Sequence, residues 1–101
     1  MTNYNERRFG INEPDIDIIC ENLELKEHQI SEIKRLYFKA LQNNLTQGRE
    51  LKLTIGALAY YATKNYGLEL SMKTIAEKLN LKEKLLFKAL RHLKREMMLK
   101  Y

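Results

Sequence analysis

Apolar residues recur at helical spacing along most of this chain, and no stretch alternates with the two-residue period of a strand. Ile16, Ile19, Cys20 and Leu23 follow at i, i+3, i+4 and i+7. With Pro14 suited to a first helical turn and Asp15 and Asp17 near the positive end of the dipole, they predict a helix ending near Asn22. Residues 1–12 lack that periodicity and are expected to form a flexible N-terminal arm, the domain occupying 13–101. A second helix is predicted over about Lys26–Asn43, with Ile30, Ile33, Tyr37, Ala40 and Leu41 on one face. The turn "TQGRE" follows, its Gly48 permissive for backbone.

The third segment, about Glu50–Asn65, is apolar all the way round between Ile55 and Ala62, and Gly56, Ala57, Ala59 and Ala62 are small. Such a helix is buried on every side, so it should be central, with Gly67 ending it. Ser71 is the expected N-cap of a short fourth helix, Met72–Leu79, and Asn80 the left-handed turn residue after it. A fifth helix follows over about Lys82–Met98. Ala76 at the crossing, Asn80 in the turn, and Ile75, Leu79, Leu81, Leu86 and Ala89 as anchors fit a helix-turn-helix, a pattern that a plain helical hairpin also produces. The expected fold is all-α, five helices around a buried third one.

Charge changes this picture at one end. Residues 71–101 hold nine Lys or Arg against three Glu, a net of +6, while residues 1–70 hold nine against ten, a net of −1. At 100° per residue, Lys84, Phe87, Lys88, Arg91 and Arg95 share one stripe of the fifth helix, opposite Leu86, Leu90, Leu93 and Met97. Cations on such a stripe neutralise phosphates and reach base edges in a major groove. Phe87 either meets a thymine methyl, packs on a partner, or is partly buried against the first or fourth helix. The competing reading is a solvated bundle face.

Catalytic chemistry finds little support. His28 and His92 have no acid or cysteine at a metal-site or triad spacing, and no Gly-rich phosphate loop or HExxH is present. The acidic run Glu13–Glu32 reads as a charged surface, and no cofactor is expected. Cys20, the only cysteine among 101 residues, excludes an internal disulfide and is expected to face the core. No apolar run resembles a signal peptide or reaches the roughly 20 residues of a membrane span. A cytoplasmic, non-enzymatic protein is expected.

The segment "LELKEHQISEIKRLYFKAL" followed by "GRELKLTIGALAYYATKNYGLELSMKTIAEKLNLKEKLLFKALRHL" resembles one cyclin-like repeat of the transcription factor IIB family, closest to archaeal transcription factor B. The resemblance rests on Leu36-Tyr37 late in the second helix, the Gly48-Arg49 turn, the alanine-rich "GALAYYA", and Gly67 with "TIAEKLNL". It implies a five-helix cyclin-like domain and a transcription factor or regulator of an archaeon or archaeal virus that binds double-stranded DNA through residues 71–98. By motif position, base contacts would fall on Lys84 and Phe87. Lys88 and Arg91 would lie near phosphates, joined on charge by Lys82, Lys94 and Arg95. Arg49 would make a structural or backbone contact. Full-length members use two repeats to clasp the TATA-binding protein on promoter DNA, so that protein, another transcription component, or a second copy of this chain is the partner implied. The chain departs from the family pattern in having one repeat, no cysteine in residues 1–14, Leu70 where a basic residue is frequent, and Phe87 where Gly or Arg is usual. Two alternatives stay open: a protein-binding cyclin-like adaptor without specific DNA contact, and a self-assembling protein using Phe87 or the C-terminal "MMLKY".

Overall fold

The computed structural model describes residues 4–65 and 70–99. They form five helices, α1 (Tyr4–Asn22), α2 (Glu27–Gln42), α3 (Leu51–Asn65), α4 (Met72–Leu79) and α5 (Glu83–Met97), with no strand among the described residues. The expected glycine stop at Gly67 lies outside the described residues.

α3 touches each of the other four helices. Residues 54–59 and 61–63 are all buried, as a helix apolar on every side requires. The flanking threonines avoid an orphaned hydroxyl by bonding back into the helix, Thr63 Oγ1 donating to the Ala59 carbonyl at 2.8 Å and Thr54 Oγ1 to that of Glu50 at 3.4 Å. Gly56 marks the closest approach: a Cβ there would stand 2.9 Å from Leu86 Cδ2, 3.2 Å from Leu79 Cδ1 and 3.3 Å from Ile75 Cγ2. α4 and α5 therefore dock onto α3 at the one position without a side chain.

α1 corrects the sequence reading. The helix begins at Tyr4, so Pro14 sits inside it rather than at its first turn, and residues 4–12 are helical rather than a loose arm. Proline removes one backbone donor and crowds the carbonyl four residues earlier, at a cost of about 3 kcal/mol. That carbonyl belongs to Gly10, which is exposed and accessible to water. Contacts to α2 offset the cost. Phe9 packs edge-on against Phe38 with ring centroids 5.7 Å apart and also meets Tyr37. Asn12 Nδ2 donates to Tyr37 Oη at 2.9 Å, and Lys34 reaches Glu13 at 3.0 Å and Asp17 at 2.8 Å. Two members of the acidic run are thus engaged in holding α1 on α2. Ile16, Ile19, Cys20 and Leu23 are buried as their spacing predicts.

The turn that places α5 follows the expected chemistry. Ser71 Oγ accepts from the Thr74 amide at 3.1 Å, capping α4. Asn80 closes it in the left-handed region, φ 55° and ψ 51°, and the Leu81 amide bonds back to the Ala76 carbonyl at 2.8 Å. Lys52 Nζ, from α3, donates to the Leu79 carbonyl at 3.1 Å and satisfies one of α4's terminal acceptors.

Candidate nucleic-acid interface

α5 turns Leu86, Ala89, Leu90, Leu93 and Met97 into the core. That fixes what faces outward. Lys84, Phe87, Lys88, Arg91 and Arg95 are all exposed, Phe87 at 47%. The stripe from Lys84 to Arg95 is about 16 Å long at 1.5 Å per residue, comparable to the roughly 12 Å width of a B-DNA major groove. Lys84, Lys88 and Arg91 form no ion pair among the described residues, whereas Arg95 Nε lies 3.5 Å from Glu96 Oε1. Three cations are therefore uncommitted on one side of one helix.

The remaining expected residues divide. Lys82 is exposed but precedes the helix, in extended backbone at φ −83° and ψ 129°, so it stands at the N-terminal end of the stripe. Lys94 is half-buried on the flank next to Phe87. Arg49 is drawn in from the α2–α3 turn: Nη1 donates to the Leu45 carbonyl at 3.1 Å and Nη2 to His92 Nδ1 at 2.9 Å. With Nδ1 accepting, the His92 ring proton in this arrangement is on Nε2. Burial pulls the Arg49 guanidinium below its ordinary value. Arg49 thus braces α5 from the side with two of its donors engaged, and its charge adds to the face.

Shallow grooves border the stripe. One, of about 470 Å³, has Leu53, Leu85 and Ala89 with Arg49, Lys88 and Arg95 among its lining. Another, of about 510 Å³, has Tyr60, Phe87, Leu90 and Leu99 with Lys64 and Arg91. Lys64 Nζ lies 5.6 Å from the centre of the Tyr60 ring. Phe87, 47% exposed, shares this groove with Tyr60 and Lys64 of α3. The sequence pattern alone does not place Tyr60, Lys64 and Leu85 beside the stripe. For Tyr60 and Lys64 a signal exists in their four-residue spacing, which puts an aromatic and a cation on one helical face.

The model of the transcription factor TFIIB repeat matches residues 11–96, nearly the whole described domain. The chain belongs to the TFIIB repeat family. The five helices around α3 are accordingly a cyclin-like fold, and a TFIIB repeat is a transcription-factor domain, not an enzymatic one. No curated protein and no solved structure matches the chain. No helix among the described residues is long and apolar enough to cross a membrane.

Proposed function

We propose that this TFIIB repeat binds double-stranded DNA through the outer face of α5, as part of transcription initiation or its regulation. The observation that carries the reading is the set of three exposed cations without an ion pair among the described residues, Lys84, Lys88 and Arg91, on the second helix of a helix-turn-helix. In this reading Lys88 and Arg91, with Lys82, Lys94 and Arg95, neutralise phosphates and release counterions. Lys84 and Phe87, nearest the N-terminal end of the stripe, reach the groove floor, where Phe87 suits a thymine methyl. Arg49 fixes the helix by holding His92. The TATA-binding protein and other transcription components are the protein partners the family suggests.

A second reading draws on the groove beside Phe87. Its apolar members Tyr60, Phe87, Leu90 and Leu99 suit a partner's side chains, and its cationic members an acidic segment. Fluorescence anisotropy of a labelled AT-rich duplex across a salt series separates the two. DNA binding through α5 predicts a steep fall of log affinity with log salt. For Lys88→Ala/Arg91→Ala the slope should be about two smaller, since each phosphate left without its cation removes roughly 0.9 from it. A slope indifferent to both substitutions would reject the α5 face and leave the protein-binding reading standing.

A further inference from the structure

α1 carries a second surface that DNA binding does not use. Tyr4, Ile11 and Ile18 recur every seven residues along its outer side and are 67%, 68% and 55% exposed. At 100° per residue, each falls within about 20° of the one before it, away from buried Cys20 and Leu23. Large exposed apolar side chains are ordinary singly, but three in register along a 19-residue helix make a seam.

The charges on either side of that seam say what covers it. Arg7 and Asp15 flank Ile11 symmetrically, four residues before and four after, and neither forms an ion pair among the described residues. We infer that α1 pairs antiparallel with α1 of a second copy, with Ile11 on the two-fold axis. That register sets Ile11 against Ile11, Tyr4 against Ile18 twice, and Arg7 against Asp15 twice. An isologous contact requires this kind of self-complementarity. A parallel pair would oppose Arg7 to Arg7 and Asp15 to Asp15. The basic stripe of α5 offers no such match, because a second copy would bring cations to cations.

A receiving site exists for the incoming tyrosine. A groove of about 360 Å³ opens beside Ile18, between α1 and the start of α3, lined by Ile18, Ile19 and Leu51 with Asp15, Glu50 and Lys52. The antiparallel register brings Tyr4 of the second copy to Ile18, at its edge. The apolar ring meets Ile18 and Leu51, and the hydroxyl has carboxylate and ammonium partners within the same lining. With one helix per copy the interface falls at the small end of specific contacts, so the dimer dissociates in the micromolar range.

Light scattering on the full chain over a concentration series tests this, with circular dichroism confirming that each variant stays folded. The expected mass rises from 12.0 kDa towards twice that value. Arg7→Asp and Asp15→Arg each place like charges opposite one another and shift the midpoint to at least tenfold higher concentration. Arg7→Asp/Asp15→Arg restores it, which a merely local effect of either change would not do. Ile11→Cys, at the crossing point where helices approach to about 8–10 Å, forms an intermolecular disulfide under mild oxidation. Cys20, fully buried, stays out of it. A monomer at several hundred micromolar overturns the inference. So does a dimer in which Ile11→Cys fails to cross-link, or one in which the charge reversals change nothing. None of these outcomes depends on whether α5 binds DNA.

Discussion

Gly56 is the position at which the fold tolerates least. Replacing it with Ala gains about 1 kcal/mol of helix propensity. The added methyl meets Leu86, Leu79 and Ile75 at 2.9–3.3 Å. All three side chains are 3% exposed or less, so none can swing into solvent, and overpacking of this kind costs about 1–3 kcal/mol. The clash wins: Gly56→Ala should lower unfolding free energy by about 1 kcal/mol, and Gly56→Val by about 3 kcal/mol or more. Urea denaturation with an unchanged m-value checks both. An Ala variant more stable than the parent would mean that α4 and α5 are packed less tightly on α3 than these distances say.

At the scale of elements, the sequence is legible where a helix's neighbours are written into its own pattern. The all-round apolar run Ile55–Ala62 announces a central helix, and Ser71 and Asn80 bound α4 by their local hydrogen-bonding and backbone chemistry. α1 is illegible ahead of Pro14 because the contacts that keep it helical are made to another element, through Phe9, Asn12 and Glu13. Arg49's bond to His92, 43 residues away, is equally invisible, since no local spacing encodes it. The α1–α2 junction also has a pH signature. Burial, then the charge of Asp17, raises the Cys20 thiol from 9.0 to about 11, with Lys34 opposing. The hydrogen bond to Asp17 is the main cause that raises the Lys34 ammonium above its ordinary 10.5, and burial opposes it. In both cases the folded state holds its proton more tightly than the unfolded chain. The associated stability is therefore complete at neutral pH and is lost as pH rises, from about 9 to 11 for Cys20 and above 10.5 for Lys34. Buried Tyr37 shifts the same way. Cys20→Ala should consequently show a shallower loss of stability between pH 9 and 11 than the parent, by denaturant titration at each pH. Parallel curves would show that the thiol does not ionise on unfolding.

Over the whole molecule, the separation of charge decides between a DNA-facing surface and a protein that is merely basic. The net of +5 would draw any polyanion weakly, whichever face it met. Lys88 and Arg35 distinguish the cases, since removing either subtracts one positive charge. Lys88 is exposed on the α5 stripe without an acidic partner among the described residues, while Arg35 is exposed on α2 and bonded through two nitrogens to Glu32. If net charge alone drives association, Lys88→Ala and Arg35→Ala weaken DNA binding equally and leave similar salt slopes. If α5 docks on the duplex, Lys88→Ala lowers the slope by about one and Arg35→Ala leaves it as it was, because counterions are released only where a phosphate is contacted. The comparison holds for any DNA sequence, since phosphate contacts carry no sequence information. It therefore needs no knowledge of the promoter element, and unequal slopes would localise the contact to α5 before any site is identified.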